Sequence, residues 1–226
     1  MYLTHSQIWE FSLCLQCLYR LFSWGCGLSF KSNNNLLFLS CAIYDTMLFD
    51  KDVTLQAILY ILDKMGGSCD IHKICKILYF ADQRHLSLYS RSITGDSYIA
   101  MQYGPVPSRV DDMLKAVRGD SYFSKPEYTE DLSSAFAFVN KYIIKAKKRP
   151  DLDYLSDTDI ECLDKSIALC RNKSFGELTT FSHGMAWTST QRDKTMSVKD
   201  ILREVGDEEA YVEYVDSKLN LEACTL

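Results

Sequence analysis

The sequence lacks the short motifs with which many enzymes bind nucleotides or activate nucleophiles. It contains no Walker A sequence, no dinucleotide-binding glycine fingerprint, no G-x-S-x-G and no H-E-x-x-H. It has only four histidines, and its formal net charge of -5 means that it also lacks an excess of positive charge. Nucleic acid is therefore an improbable main partner, because phosphate binding needs a basic surface. We predict no catalytic site, no metal site and no cofactor.

Charged residues are scarce in one part of the chain, residues 1–46, which also hold four of the nine cysteines. A signal peptide or membrane anchor fits poorly there, because Glu10 and Arg20 interrupt the apolar run and LLFLSCAIY is too short to span a bilayer. A zinc site on Cys14 and Cys17 fits poorly too, because a second ligand pair at similar spacing is missing.

The break in composition near Met47 sets the predicted domain boundaries. We interpret residues 1–46 as an extension that is not part of the fold and that arises from a start assigned too early. The predicted domain covers residues 47–219, and residues 220–226 form a predicted frayed tail. Hydrophobic residues at 47% and charged residues at 24% are ordinary for one globular domain.

Helical periodicity begins soon after Met47. Residues 53–65 carry a broad apolar face, and Gly66–Gly67 ends that helix. Asp70 is the predicted N-cap of a second helix, which stops before Ser90. Its apolar stripe predicts a buried face.

Strand formers follow the second helix. SYIAMQY predicts a strand over 98–103 that Gly104–Pro105 closes, because proline cannot donate to a strand ladder. Pro107 is placed at the first position of a helix that Gly119 ends. FVNKYIIKA, residues 138–146, fits a helix or a strand; we favour a strand that pairs with the first one in a small antiparallel sheet.

The C-terminal third reads as helical. Helices are predicted over 157–171, 175–183 and 198–205, with a restart after Gly206. Each of the first three begins with the serine-x-x-acid spacing of a capping box, namely Ser156 with Asp159, Ser174 with Glu177, and Ser197 with Asp200. The predicted class is thus α+β: a compact single domain, mainly α-helical, with a small antiparallel β element.

Polar pairs at helical spacing are weak candidates for catalysis. Cys75 lies three residues after His72, but it falls on the apolar stripe, which favours an inert buried thiol. Asp82 and His85 are also three apart, and a surface hydrogen bond explains them as well as catalysis does. Trp187 is predicted to fill the junction of two helices.

Charge is distributed unevenly along the chain. Residues 47–149 carry 15 basic and 12 acidic residues, whereas residues 150–226 carry 8 and 16. The acidic part is a candidate surface for a basic partner, although a solvated helix face explains it too. KYIIKAKKR, residues 141–149, is a basic cluster that could touch nucleic acid or protect a strand edge. The candidate partner-binding residues are Glu204, Glu208, Glu209 and Glu213.

The stretch KILYFADQRHLSLYSRSITGDSYIAMQYGPVP resembles the Panacea domain family, whose SocA-like antitoxins include phage-associated proteins. The hallmark is a lysine-initiated LLYFA helix, a glycine-acid turn, an alanine-bearing strand and a GPV corner; LSDTDIECLD and FSHGMAW resemble its C-terminal half. Family members often have glycine where this chain has Ser90. The matching residues are Lys76, Leu78, Tyr79, Phe80, Ala81, Asp82, Gly95, Asp96, Ala100, Gly104, Pro105, Val106, His183 and Trp187.

The resemblance implies a mostly helical, winged-helix-like domain and a cytoplasmic antitoxin of a bacterial or phage toxin–antitoxin system. Such an antitoxin neutralises a co-encoded toxin protein by direct binding, without enzymatic activity and without a membrane. Two alternatives stay open. A winged-helix-like DNA-binding regulator would use Lys73, Lys76 and Arg84, or the cluster at 141–149, against phosphates. A small hydrolase would use His72, Asp82 or His85.

Overall fold

The computed structural model describes residues 49–120 and 132–225. The predicted extension, residues 1–46, lies outside the described residues. The helices bounded within the described part are α1 (Lys51–Lys64), α2 (Ile71–Tyr89), α3 (Ser108–Arg118), α4 (Asp157–Cys170), α5 (Phe175–Phe181), α6 (Met185–Ser189), α7 (Val198–Glu204) and α8 (Glu209–Thr225). The strands are β1 (Ser68–Asp70), β2 (Tyr98–Met101), β3 (Gly104–Pro107), β4 (Phe136–Phe138) and β5 (Ile143–Ala146), and a 3-10 turn covers Leu152–Tyr154.

Helix α2 is the centre of the fold. Asp70 caps it as predicted, with its side chain accepting a hydrogen bond from the His72 N–H at 2.8 Å. The helix ends at Ser90, whose φ of 56° lies in the left-handed region that favours glycine. Residues 74–83 of α2 are all buried, against α4, α5, α7 and β3.

The β pairing differs from the prediction. Strand β5 is the middle strand of a three-stranded antiparallel sheet in the order β1-β5-β4, and it does not pair with β2. The pairing was missed because β1 is only three residues long and reads as a turn before the Asp70 cap. Since β5 has a partner on each side, the lysines of 141–149 do not protect a strand edge.

The Gly104–Pro105 corner does not close a strand; it begins one. β2 ends at Met101, and β3 pairs with it antiparallel, with Met101 opposite Gly104 and Tyr98 opposite Pro107. Proline is tolerated because this sheet has two strands, so a proline nitrogen can face the side that has no strand partner. Pro107 is consequently the N-cap residue of α3 rather than its first helical residue.

The C-terminal helices follow the predicted caps at two of three sites. Complete capping boxes form at Ser156 with Asp159 and at Ser174 with Glu177. Ser197 occupies the N-cap position of α7 without a side-chain cap hydrogen bond. Helix α8 continues to Thr225, beyond the predicted domain end; within it Leu219 is buried and Leu221 is exposed.

The α+β class, mainly helical with small antiparallel sheets, is confirmed. One apolar core joins α1, α2, α4, α7 and α8, with Leu78, Ile61 and Leu163 among the residues that are fully buried. No helix within 49–120 and 132–225 is long and apolar enough to cross a membrane. The winged-helix likeness stays a prediction.

Candidate functional site

The motif lysine is fully buried at the centre of the resemblance. Lys76 Nζ donates a hydrogen bond of 2.7 Å to the Pro105 carbonyl oxygen. Gly104 has a φ of 95°, and a Cβ there would meet Ser182 Oγ and lie 2.7 Å from Lys76 Nζ. The lysine of α2 and the glycine of the GPV corner therefore require each other: the ammonium occupies the space that a side chain would fill.

Burial lowers the pKa of Lys76 to about 8. In the unfolded chain the pKa of lysine is about 10.4. Between about pH 8 and that value, the unfolded state therefore keeps a proton on Lys76 that the folded state has released. The contribution of this site to the free energy of unfolding should therefore rise as the pH increases from about 8 to about 10.4, by about 3 kcal/mol in total.

Urea unfolding of the wild type and of Lys76→Met across this pH range tests the effect. The difference in free energy of unfolding, wild type minus variant, should grow with pH and level off above about pH 10.4. Tyrosines and cysteines titrate in both proteins, so their contribution cancels in the difference. A difference that stays constant with pH would show that Lys76 keeps an ordinary pKa.

The motif aspartate organises the turn that follows α2. Asp82 is buried and accepts hydrogen bonds from Ile93 N (2.6 Å), Thr94 N (3.3 Å), Thr94 Oγ1 (2.7 Å) and Tyr98 OH (2.6 Å). Burial raises the pKa of the carboxyl, and these hydrogen bonds oppose the rise. Asp82 therefore fastens the turn and β2 to α2.

The second motif aspartate caps a helix. Asp96 accepts hydrogen bonds of 3.0 Å from the backbone N–H groups of Arg109 and Val110, in the first turn of α3. Gly95, at a φ of 65°, lets the chain turn just before it. This acid-bearing turn is thus an anchor for α3 and holds no group free for chemistry.

His183 and Trp187 fasten the segment between α5 and α7 to the β2–β3 hairpin. Their rings stack with centroids 3.6 Å apart, and Trp187 Nε1 donates to the Met101 carbonyl oxygen at 2.9 Å. Trp187 therefore joins a helix to the hairpin, and it also packs against the hydrophobic core. Its role in filling a junction of two helices stays a prediction. Burial, together with the charge of Lys76, lowers the pKa of His183.

The proposed catalytic pairs are not assembled. Asp82 and His85 are both buried and have separate partners, so the surface hydrogen bond between them is wrong. His85 Nε2 lies 3.1 Å from Asp159 Oδ1. Cys75 is buried as predicted, and burial raises the pKa of its thiol to about 12.

An open groove of about 530 Å³ lies between the start of α1, the turn at 91–95 and the end of α8. Two of its carboxylates are engaged by the fold: Asp50 caps α1, and Asp159 accepts a hydrogen bond of 2.8 Å from Arg91. Burial alone would raise the pKa of Asp159, but hydrogen bonds from His85 and Ser156 and the charge of Arg91 bring it to about 2. Nowhere in the described part of the chain do three metal-binding side chains cluster.

Exposed rings cover the outside of the motif residues. Tyr103, at the turn of the hairpin, is 51% exposed, and Phe175 and Phe181 of α5 are 52% and 49% exposed. The Phe175 ring contacts Tyr103 (5.3 Å between centroids) and His72 (4.1 Å), while Phe181 contacts Phe80 (5.1 Å). We call His72, Tyr103, Phe175 and Phe181 the aromatic face.

Basic side chains border the aromatic face. Lys173 Nζ lies 5.3 Å from the centre of the Phe181 ring, and Lys73 Nζ donates to the Arg171 carbonyl oxygen at 2.9 Å. In the described ranges, no carboxylate lies within ion-pair distance of Lys73, Arg171 or Lys173. We call these three residues the basic rim.

The candidate glutamates are not one surface. Glu204 turns inward and accepts hydrogen bonds from Tyr79 OH (3.2 Å), Gln83 Nε2 (2.9 Å) and Ala186 N (2.8 Å). It is a structural carboxylate and is not available to a partner. Glu209 pairs with Arg203 and Glu213 with Lys199, so much of the acidic charge on α7 and α8 is compensated internally.

The basic residues that the DNA-binding alternative would use also differ in their exposure to solvent. Lys76 is fully buried and cannot reach a phosphate. Arg84 and the lysines of 141–149 are exposed, and Lys73 is half-buried.

The fold is a mainly helical α+β scaffold. The motif residues lie in its interior, where they hold its elements together, and exposed aromatic rings lie on the surface outside them. The family model for the antitoxin SocA-like, Panacea domain matches residues 74–188, which is more than half of the chain. The chain belongs to the SocA-like antitoxin (Panacea) domain family. Neither the curated proteins nor the solved structures yielded a match to the chain.

The sequence analysis missed the aromatic face, although a signal exists. Phe175, Leu178 and Phe181 recur every three residues and form an apolar stripe on a seven-residue helix. A stripe of this kind usually packs into a core, but of these three residues only Leu178 is buried. No local sequence pattern indicated that Glu204 points inward, because its hydrogen-bond partners lie more than 100 residues away or across a loop.

Proposed function

We propose that this protein is a cytoplasmic antitoxin that neutralises a co-encoded toxin protein by direct binding, without catalysis. The observation that carries the proposal is the match to the SocA-like antitoxin family over residues 74–188. The motif residues make contacts inside the fold, which supports the part of the proposal that the protein acts without catalysis. Lys76, Asp82 and Asp96 each hold backbone or side-chain groups of the fold.

Co-expression with the adjacent gene tests the antitoxin role. The adjacent product alone should stop growth, the full 226-residue chain should restore it, and the two proteins should co-purify. A neighbour that is harmless when expressed alone, or a toxin that is not restrained by the chain, would contradict the proposal.

Titration of the purified toxin separates binding from catalysis. A binding antitoxin inhibits in proportion to its amount and reaches full inhibition near an equimolar ratio, since each molecule occupies one partner. The toxin released by denaturant should keep its intact mass and recover its activity. Full inhibition at a small fraction of the toxin concentration, or a changed toxin mass, would instead establish an enzyme.

The acidic surface at the start of α8 stays a candidate contact region through Glu208, which precedes the helix, and through Glu209 and Glu213. Its expected role is steering of a basic part of the toxin, which affects the association rate at low salt more than the lifetime of the complex. Because Glu204 is structural, it has to be left unchanged in any charge-reversed variant.

A further inference from the structure

We propose that the aromatic face with its basic rim is the surface that binds the toxin, and that its occupant is an acidic segment of the toxin carrying apolar side chains. This inference rests on the proposed function and specifies where binding occurs. The aromatic face consists of His72, Tyr103, Phe175 and Phe181, and the rim consists of Lys73, Arg171 and Lys173.

The first argument is exposure on a fixed base. Three large rings are each about half exposed; those of Tyr103 and Phe175 contact one another, and both phenylalanines belong to the same short helix, α5. Contiguous apolar surface of this kind marks interaction sites in soluble proteins, and aromatic side chains dominate the energetics of interfaces.

The second argument is how the rings are held. Tyr103 directly precedes Gly104, which is in contact distance of buried Lys76 and Ser182, so the hairpin turn is fixed to α2. Phe175 and Phe181 belong to α5, which the Ser174–Glu177 capping box fixes at its start. His72 and Phe80, which the two phenylalanine rings contact, are eight residues apart on α2, or ~12 Å along its axis. A partner would therefore meet preorganised rings and lose little entropy in ordering them.

The third argument is charge. Of the basic rim, Lys173 Nζ lies 5.3 Å from the centre of the Phe181 ring and Lys73 directly follows His72 on α2, whereas the Arg171 guanidinium donates to the Lys64 carbonyl oxygen at 2.9 Å. Burial, together with the charge of Lys76, lowers the pKa of His72, which leaves that ring neutral and suited to stacking. On α7 and α8, in contrast, Arg203 and Lys199 already neutralise acids. No ion pair joins the rim to a carboxylate within the described residues, although the hydrogen bonds from Ser174 and the charge of Lys173 lower the pKa of Glu177; the positive charge of the rim complements an acidic occupant.

Rings beside basic groups can also stack the bases of single-stranded nucleic acid. The net charge of -5 and the membership in an antitoxin family favour a protein occupant. Nucleic acid is therefore an outcome that the experiment has to separate from toxin binding.

The experiment measures the affinity of the full chain for the product of the adjacent gene, with wild type and four variants. Phe175→Ala combined with Phe181→Ala should weaken binding by roughly 30-fold or more, as expected for central aromatic contacts. Lys173→Glu should slow association by about 3- to 10-fold at low salt, with a smaller effect at high salt. Melting curves establish that each variant is folded.

The matched control is Tyr214→Ala. Tyr214 is 56% exposed, as large as the rings of the aromatic face, but it lies on α8 beside the acidic surface. Its replacement should change affinity by less than about 3-fold, as for a residue outside the interface. The fourth variant reverses the charges of Glu208, Glu209 and Glu213, and it should leave the dissociation rate unchanged.

The outcomes are distinguishable. Wild-type affinity in the folded double phenylalanine variant overturns the inference but leaves the antitoxin role intact, and so does a loss of binding confined to Tyr214→Ala or to the glutamate variant. Failure of the wild-type chain to bind the product contradicts the proposed function itself. If the phenylalanine variant loses affinity for a single-stranded oligonucleotide and keeps its affinity for the toxin, the face belongs to nucleic acid and the inference is wrong.

Discussion

Replacing Asp82 with alanine is expected to lower the free energy of unfolding by about 3–5 kcal/mol, because several buried donors lose their acceptor and each unsatisfied donor costs about 1–3 kcal/mol. The change leaves the N–H groups of Ile93 and Thr94 and the hydroxyl of Tyr98 without their acceptor. All three residues are buried, so water cannot replace the carboxylate without opening the turn. Urea unfolding monitored by circular dichroism measures the loss.

Two further variants identify the origin of this loss in the free energy of unfolding. Asp82→Asn keeps one acceptor oxygen and the shape of the side chain, so its cost should fall to about 1–2 kcal/mol. Asp63→Ala removes an exposed carboxylate from α1 and should stay within about 0.5 kcal/mol of the wild type. Equal stability of Asp82→Ala and Asp63→Ala would mean that the carboxylate does not hold the turn.

Replacing Gly104 with alanine is expected to cost about 2–5 kcal/mol. The left-handed backbone accounts for about 1–2 kcal/mol of this, because a Cβ is strained at a φ of 95°. Crowding against Ser182 and Lys76 in the packed interior adds about 1–3 kcal/mol. The same unfolding assay applies, and valine at this position should be at least as destabilising as alanine.

Gly119→Ala separates the two causes. Gly119 has a φ of 88°, and a Cβ built there meets no atom within 4 Å. This variant should lose only the backbone component of about 1–2 kcal/mol. If Gly104→Ala and Gly119→Ala lose the same amount, then Lys76 and Ser182 move aside without cost and the close approach has no energetic role.

Local signals predicted the helices well. The Asp70 cap and the apolar stripe of α2 are confirmed, as are the capping boxes of α4 and α5. Each of these features depends on residues within four positions of one another, so hydrogen-bonding chemistry and periodicity suffice to find them.

Strand pairing was not accessible in the same way. Strand β1 holds three residues, and its partner β5 begins more than 70 residues later, so no local pattern connects them. The GPV corner was recognised as special but assigned the wrong role. Its true role depends on Lys76, whose ammonium reaches Pro105 from another element. A sequence pattern does not reveal that a lysine is buried, since lysine in a helix is usually exposed.

The same difference between local patterns and contacts of distant residues applies to the candidate site. The resemblance located the residues that converge around Lys76 and Asp82, but it did not reveal that they are tethers. Acidic composition favoured Glu204, whose carboxylate is instead engaged by Tyr79, Gln83 and Ala186. Composition counts charges but does not show which of them already have partners within the fold.

The separation between interior tethers and exposed rings has an evolutionary consequence. Substitutions at half-exposed positions such as Phe175 and Phe181 remove few internal contacts, so they are expected to cost little stability. If the aromatic face binds the toxin as proposed, its contacts can change by surface substitution without passing through poorly folded ancestors. The inherited scaffold and the acquired partner would then follow independent histories.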